Sequence, residues 1–269
     1  MTVLKGDVPA RAGILNALEH PLEGLKLAQR SNFWEATARL YEPLWRYRSL
    51  ELISAGRVSV SEELERLVTW TNPQAGMHVL DAACSGALYA RTLLEQQPHL
   101  TVHAVDYSPA FLREAQRRAW HWQQGQWRSG TWQQPLTLVH ADVRSLPYAD
   151  DAFDMVVCGG SLNEFIDLPT CLTEMARVLK PQGAMWQMYV QPADVPSDKL
   201  AQNMLKLTGI NAVSPGWLEQ HVGAQGLVLE QRETYGTIVF DLYRKRPADT
   251  ATATPRAPRR GWWFGRKRR

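Results

Sequence analysis

Three aspartates close or follow three successive apolar runs, and their spacing is the first sign of chemistry. Met77-His78-Val79-Leu80-Asp81 and Thr101-Val102-His103-Ala104-Val105-Asp106 each end on an acid, and the run Leu136 to His140 leads into Ala141-Asp142. Short apolar runs set off by breakers such as Asn72-Pro73-Gln74-Ala75-Gly76 read as buried strands. Open α/β sheets bind ligands beyond the carboxyl ends of their strands, so these three carboxylates are predicted to face one crevice. A crevice rich in acids suits a ligand with an ammonium, a ribose diol and a cationic sulfur, and repels a polyphosphate.

The turn after Asp81 consists of small residues, Ala82-Ala83-Cys84-Ser85-Gly86-Ala87. Small side chains let a ligand lie against the backbone at the start of the next helix, whose free N–H groups favour a carboxylate. The same residues would also permit close packing of helix on strand. By itself, the turn does not choose between these readings.

The elements that must position these residues follow from the rest of the pattern. A helix containing Leu88, Leu93 and Leu94 comes after the first strand. Ser108-Pro109, a cap and a proline at the first helical position, opens another with Leu112, Ala115 and Ala119. Phe153 to Cys158 is a fourth strand, Leu168 to Leu179 a helix stopped by Pro181 and Gly183, and Ala184 to Val190 a fifth strand. Ser214-Pro215 repeats the cap signal, and residues 226–232 and 236–243 alternate as a closing antiparallel pair. This order predicts an α/β fold with a doubly wound, mostly parallel, seven-stranded sheet of Rossmann-like type.

Residues 1–75 carry apolar residues at helical spacing. Leu15, Leu18, Leu22 and Leu25 form one set; Phe33, Ala36, Leu40 and Leu44 a second; Leu64, Leu67 and Val68 a third. Pro43 is placed to kink or end the second helix. The expected organisation is a helical N-terminal extension over 1–75, the sheet domain over 76–246 and a flexible basic tail over 247–269.

Composition narrows the class. Of 269 residues, 45% are hydrophobic and 21% charged, as in ordinary globular proteins. No apolar run approaches a membrane span, and the first residues lack the order of a secretory signal. Three cysteines without paired spacing argue against a disulfide framework and a zinc site, and point to the cytoplasm. The net charge of +3 arises in the tail, where residues 255–269 hold seven basic residues and no acidic one. The body is mildly acidic, so the overall charge does not indicate a nucleic-acid-binding domain.

Val79-Leu80-Asp81-Ala82-Ala83-Cys84-Ser85-Gly86-Ala87 resembles the first motif of class I methyltransferases that use S-adenosylmethionine (SAM). It looks most like the acid-x-small-Cys-Gly-x-Gly form of plastid and cyanobacterial quinone-type enzymes. Val105-Asp106-Tyr107-Ser108 resembles the second motif. Ala141-Asp142-Val143, Leu146-Pro147-Tyr148 and Phe153-Asp154 resemble the stretch bordering adenine. Glu174 to Gly183 looks like the helix and proline stop before strand five, and the hairpin ending Phe240-Asp241-Leu242-Tyr243 fits the reversed last strand. The match covers about residues 75–190 in order and spacing.

The resemblance implies SAM as cofactor, no metal, and methyl transfer to a small apolar, quinone-like or lipid-like acceptor. It implies that Asp81, or the backbone of Ala83, Ser85 and Gly86, meets the methionine end. Asp106 with Tyr107 would meet the ribose, and Asp142 with Val143 the adenine. Ala83, Ser85 and Ala87 stand where the family commonly has glycine. Alanine is comfortable only at negative φ, which predicts a tighter loop or weaker cofactor binding. A non-catalytic relative with a degenerate SAM site is the alternative.

On the acceptor side the candidates are Ser161, Asn163 and Glu164 after strand four, and Tyr41 in the extension. Glu164 reads either as a catalytic group or as a solvated or capping acid. Tyr41 reads as an aromatic closing over the cofactor or as a core tyrosine. Cys84 is expected to be a small buried residue and His140 structural or exposed. Trp120, Trp122, Trp127 and Trp132 could shape an acceptor pocket, form a partner surface or cover the sheet edge.

Two other classes fit less well. A nicotinamide-dependent oxidoreductase would want G-x-G-x-x-G, and residues 82–91 contain a single glycine. A nucleic-acid methyltransferase would carry Asn/Asp-Pro-Pro-aromatic where Gly160-Ser161-Leu162-Asn163 stands, so no specific nucleic-acid partner is expected. In the tail, Trp262-Trp263-Phe264 lies between arginine pairs and clusters. That pattern predicts weak contact with an anionic membrane or, equally, a solubilising basic tail.

Overall fold

A computed structural model of the chain describes residues 4–18, 23–126, 136–194, 206–207 and 209–247. The Val-, Leu- and Ala-rich runs form the central strands β3 (His78–Ala82), β4 (Thr101–Asp106), β5 (Leu136–His140) and β6 (Phe153–Gly159). Preceding them in the chain are short strands β1 (Ala10–Arg11) and β2 (Ile14–Asn16); following them are β7 (Leu179–Val190), β8 (Leu227–Tyr235) and β9 (Ile238–Lys245). Their order in one sheet is β1-β2-β5-β4-β3-β6-β7-β9-β8. The pairs from β2 through β7 are parallel, and β9 runs antiparallel between β7 and β8.

The seven strands predicted from the sequence are all present in a Rossmann-like order. The sheet nevertheless has nine strands among the described residues, because β1 and β2 extend its edge beside β5. Leu15 therefore pairs with Val139 in a strand, whereas its leucine spacing predicted a helix. Segments of two and three residues are too short to display a period.

Helices α5 (Leu88–Gln96), α6 (Pro109–Gln126) and α7 (Leu168–Val178) connect the parallel strands, and α8 (Pro215–Gly223) precedes the hairpin. Helix α7 stops at Leu179, ahead of Pro181. Lys180 precedes a proline and must be extended, so the chain passes from helix straight into β7. Large side chains such as Leu80, Phe153, Trp186 and Phe240 fill the two faces of the sheet.

The extension contributes α1 (Leu27–Ser31), α2 (Glu35–Leu40), α3 (Tyr47–Ile53) and α4 (Val60–Thr71). The interruption expected at Pro43 is present: α2 closes at Leu40, just ahead of it. Tyr41–Arg46 form a π-helical turn that joins α2 to α3, and this wider turn accommodates a residue without an N–H. The turn also reorients the faces. Leu40, Leu44, Trp45 and Leu52 are about half exposed or more, whereas Glu42, Arg46 and Ser49 are buried. The apolar set Leu40/Leu44 was expected to point inward, and the polar set does so instead. Ion pairs waiting for Glu42 and Arg46 inside account for the inversion.

Trp120 lies on α6 and is exposed. The side chain of Trp122, the residues Trp127 and Trp132, and the whole aromatic-basic stretch 255–269 lie outside what is described. No helix among the described residues is long and apolar enough to cross a membrane.

Candidate functional site

Strand order reverses between β3 and β6, and a crevice opens there at the carboxyl ends of the strands. Asp81, the Ala83–Gly86 backbone and Gly159 line it from the sheet side, and Tyr41, Glu42 and Arg46 cover it from the extension. A neighbouring cleft carries Tyr107, Asp142, Val143 and Phe165, with Gln29 of α1 as its outer wall. A third, open cleft is mostly apolar, with Trp45, Leu50, Met188, Ile210 and Ile238 in its walls. The three aspartates, expected to face one crevice, lie at one end of the sheet, but Asp81 and Asp142 line separate clefts and Asp106, buried behind the loop, lines none of the three.

Asp81 and Asp106 are both buried. The Ala90 N–H of α5 donates to Asp81 Oδ2 at 3.1 Å. Asp106 accepts two backbone N–H groups, from Ser85 at 2.9 Å and from Ser108 at 2.8 Å. Burial raises both acids, Asp81 to about 7 and Asp106 to about 6, and the nearby Asp106 charge adds to the shift at Asp81. A cation beside either acid would oppose that shift and hold it ionised. Asp142 is half-buried and engaged, because Arg144 donates to it from its backbone and through two guanidinium nitrogens.

The loop between β3 and α5 has an unusual backbone. Ala83, Ser85 and Ala87 hold φ of 57°, 47° and 57°, while Cys84 and Gly86 stay negative. The expectation that alanine would force a different loop is therefore corrected. The left-handed conformation suited to glycine is kept, at roughly 1–2 kcal/mol of strain per residue. Alternating signs of φ turn successive N–H groups toward one side, but those of Cys84, Ser85 and Ala87 are taken up within the fold. Hydrogen bonds hold the loop in place: Cys84 N–H to Val105 O, Ala87 N–H to Cys84 O, and Ser85 N–H to Asp106. Gly86 is needed for a different reason, since a Cβ there would sit 2.9 Å from Glu42 Oε2.

The acceptor-side candidates separate. Glu164 borders both the Tyr107–Asp142 cleft and the apolar cleft. Its carboxyl is raised to about 7, chiefly by burial, with the Asn32 amide donating to it at 3.3 Å. Tyr41 stands at the boundary of the apolar cleft and the crevice, edge-on to Phe111 at 5.2 Å. Its phenol is pushed up to about 12, mainly by burial. Asn163 is a strut: its amide donates to Val190 O and Asn211 O and accepts Val190 N–H. Ser161 donates to Ala83 O at 3.3 Å. His140 ties Asn16 to the Tyr107 backbone at the sheet edge. Burial raises the Cys84 thiol well above its usual value, and the Asp106 and Asp81 charges add to it, which keeps it protonated and unreactive.

Sequence reasoning missed Glu42 and Arg46. Glu42 accepts from Arg91 and Arg118, which links the extension to α5 and α6. Arg46 donates to the buried Glu63 at 2.7 Å, and Tyr89 donates to the same oxygen. Two polar residues four apart within Tyr41-Glu42-Pro43-Leu44-Trp45-Arg46 were the available signal.

Comparison with known proteins points in the same direction. Residues 80–186 match the family described as "Methyltransferase domain". A malonyl-(acyl-carrier protein) O-methyltransferase of Halorhodospira halophila is 37% identical over 107 residues, 40% of this chain and 32% of that protein. A ubiquinone/menaquinone biosynthesis C-methyltransferase of Paracoccus denitrificans is 25% identical over 64% of this chain and 68% of its own length. A 2-phytyl-1,4-naphtoquinone methyltransferase of Trichormus variabilis is 35% identical over 44% of this chain and 49% of its own. The chain thus spans 32–68% of the length of these relatives. Among solved structures, a SAM-dependent methyltransferase from Aquifex aeolicus superposes with a TM-score of 0.51 at 16% identity, covering 68% of this chain and 88% of that one. The (4+2)-cyclase SpnF superposes at 0.61 and 17% identity, covering 88% of this chain and all of the other. These superpositions show the fold, which is known to host different chemistries.

Proposed function

We propose that the protein is a SAM-dependent methyltransferase that methylates a small apolar, quinone-like or lipid-like acceptor, a reading supported by the match of residues 80–186 to the methyltransferase-domain family. The observation that carries this reading is the position of Glu164, which borders both the cleft of Tyr107 and Asp142 and the apolar cleft beside it. SAM, when bound, supplies a methyl group already activated by its sulfonium.

The residues present fit that cofactor by their chemistry. Asp81 is a buried acid in the crevice, and a cation beside it would hold it ionised against the desolvation that raises its pKa. Asp106 suits a vicinal diol, and Tyr107, Val143 and Phe165 offer flat and apolar walls for a purine. Asp142 shares its oxygens with Arg144 and gives an amino group weaker recognition. The chain's own task is to orient acceptor and methyl donor and to exclude water, which is worth roughly 7–11 kcal/mol when alignment is good. The cap formed by Gln29, Tyr41 and Glu42 does the excluding. Glu164, poised near neutral pH, takes the proton that the acceptor gives up.

Three free and buried cysteines fit a reducing compartment, and we place the protein in the cytoplasm. Calorimetry with SAM, followed by a mass-spectrometric methylation screen over apolar phenols and quinols, tests the reading. Micromolar SAM binding with turnover of a quinol is the expected result. A folded protein that binds no SAM at near-millimolar concentration overturns it in favour of a non-catalytic relative.

A further inference from the structure

We propose that Arg46, supplied by the N-terminal extension, binds the α-carboxylate of the cofactor's amino-acid end, opposite Asp81, which takes its ammonium. This rests on the SAM reading above and adds a residue outside the methyltransferase-domain match. Arg46 is more than nine-tenths buried and lines the same crevice as Asp81 and the Ala83–Gly86 backbone. A guanidinium has five N–H donors. Among the described residues this one makes a single hydrogen bond, to Glu63 Oε1. Glu63 is fully buried and also receives the Tyr89 hydroxyl on that oxygen, so it fixes the guanidinium without exhausting it. Arg46 lines the crevice with its remaining N–H groups unengaged by the described residues, and an anion there would take charge-assisted hydrogen bonds from them.

The other charge of the pair is equally exposed to the crevice. Asp81 gives Oδ2 to Ala90 N–H, and among the described residues no donor is recorded on Oδ1. A cavity that presents a carboxylate and a guanidinium matches a zwitterion, with one charge for each end. Arg46 reaches this place because the π-helical turn swings Glu42 and Arg46 to the inner face and leaves Leu44 and Trp45 outside. Glu42, held by Arg91 and Arg118, latches the same turn over Gly86.

The test compares two ligands by calorimetry: S-adenosylhomocysteine, which has the amino-acid end, and 5′-methylthioadenosine, which lacks it. Arg46→Gln is expected to weaken S-adenosylhomocysteine binding 10- to 100-fold and to leave 5′-methylthioadenosine within twofold. Arg46→Lys keeps the charge beside Glu63, and it carries the test if the glutamine variant fails to fold. Its expected effect is a smaller loss, at least about fivefold, confined to the ligand with the carboxylate, because an ammonium lacks the fork. Equal weakening of both ligands, or no change in either, overturns the assignment. Wild-type protein that binds neither ligand overturns the SAM reading, and this one with it.

Discussion

Asp106 accepts the backbone N–H of Ser85 at 2.9 Å, so the acid that ends one strand holds the loop that follows its neighbour. The same carboxylate takes the Ser108 N–H at the start of α6. Asp106 is therefore a structural brace as well as a candidate ribose ligand, and removing it should show both roles. Asp106→Ala is expected to lower folding stability by about 1–3 kcal/mol, because two buried donors lose their acceptor. Asp106→Asn keeps an acceptor oxygen and should cost less stability, yet weaken SAM at least tenfold by losing the charge. Thermal denaturation and calorimetry on the two variants separate these effects. Wild-type affinity in a folded Asp106→Asn protein would remove Asp106 from the site.

Strain in the loop is open to a direct test. Ala87 caps α5 with φ at 57°, and glycine has no penalty there. Ala87→Gly should raise stability by about 0.5–1 kcal/mol, the relief of strain minus the extra freedom of the unfolded chain. SAM affinity should stay the same or tighten. Ala83→Val should act in the opposite direction by about 2 kcal/mol or more, because a β-branched side chain resists positive φ. A lower melting temperature for Ala87→Gly would contradict the strain.

The buried acids predict a pH dependence. Asp81 at about 7 and Asp106 at about 6 lie above the unfolded aspartate value. Their contribution to stability is complete below about pH 4 and is lost as pH rises through 6 and 7, since the folded state holds the extra protons. Cofactor binding works the other way, because a cation favours the ionised acids. SAM affinity should rise roughly tenfold or more between pH 5.5 and 7.5, with protons released on binding. Calorimetry at pH 6 in buffers of different ionisation enthalpy counts those protons. An affinity flat over that range would refute the assignment of Asp81 to the cation.

The sequence made the sheet legible because β3, β4 and β6 are apolar runs bounded by breakers, and Asp81 and Asp106 mark their ends. Asp142 could be placed by the same logic, but its occupation by Arg144 two residues on could not. Arg46 and Glu42 were hidden by the π-helical turn. A 3.6-residue period drawn through Phe33, Ala36, Leu40 and Leu44 assigns the inner face to leucines, and one wide turn at Pro43 reverses it. Nor could the loop's φ values be foreseen, since alanine's preference opposes them. They are imposed from outside, by hydrogen bonds to Val105 and Asp106.

Glu164 remains the residue on which turnover should depend. It borders the cleft of Tyr107 and Asp142 and the cleft of Trp45 and Met188, and its main fixed partner is the Asn32 amide. Burial raises its carboxyl to about 7, so near neutrality a large share is ionised and able to take a proton. Glu164→Gln keeps the shape, can still pair with Asn32 and removes the base. Its kcat should fall about 10²–10⁴-fold, while SAM affinity changes less than threefold. The wild-type rate should climb as pH rises through about 7, the direction in which Glu164 loses its proton, and the variant's residual rate should lack that limb. A stability effect would lower both enzymes' rates alike across pH. Full activity in Glu164→Gln, or an unchanged ascending limb, would show that the acceptor's proton leaves by another route.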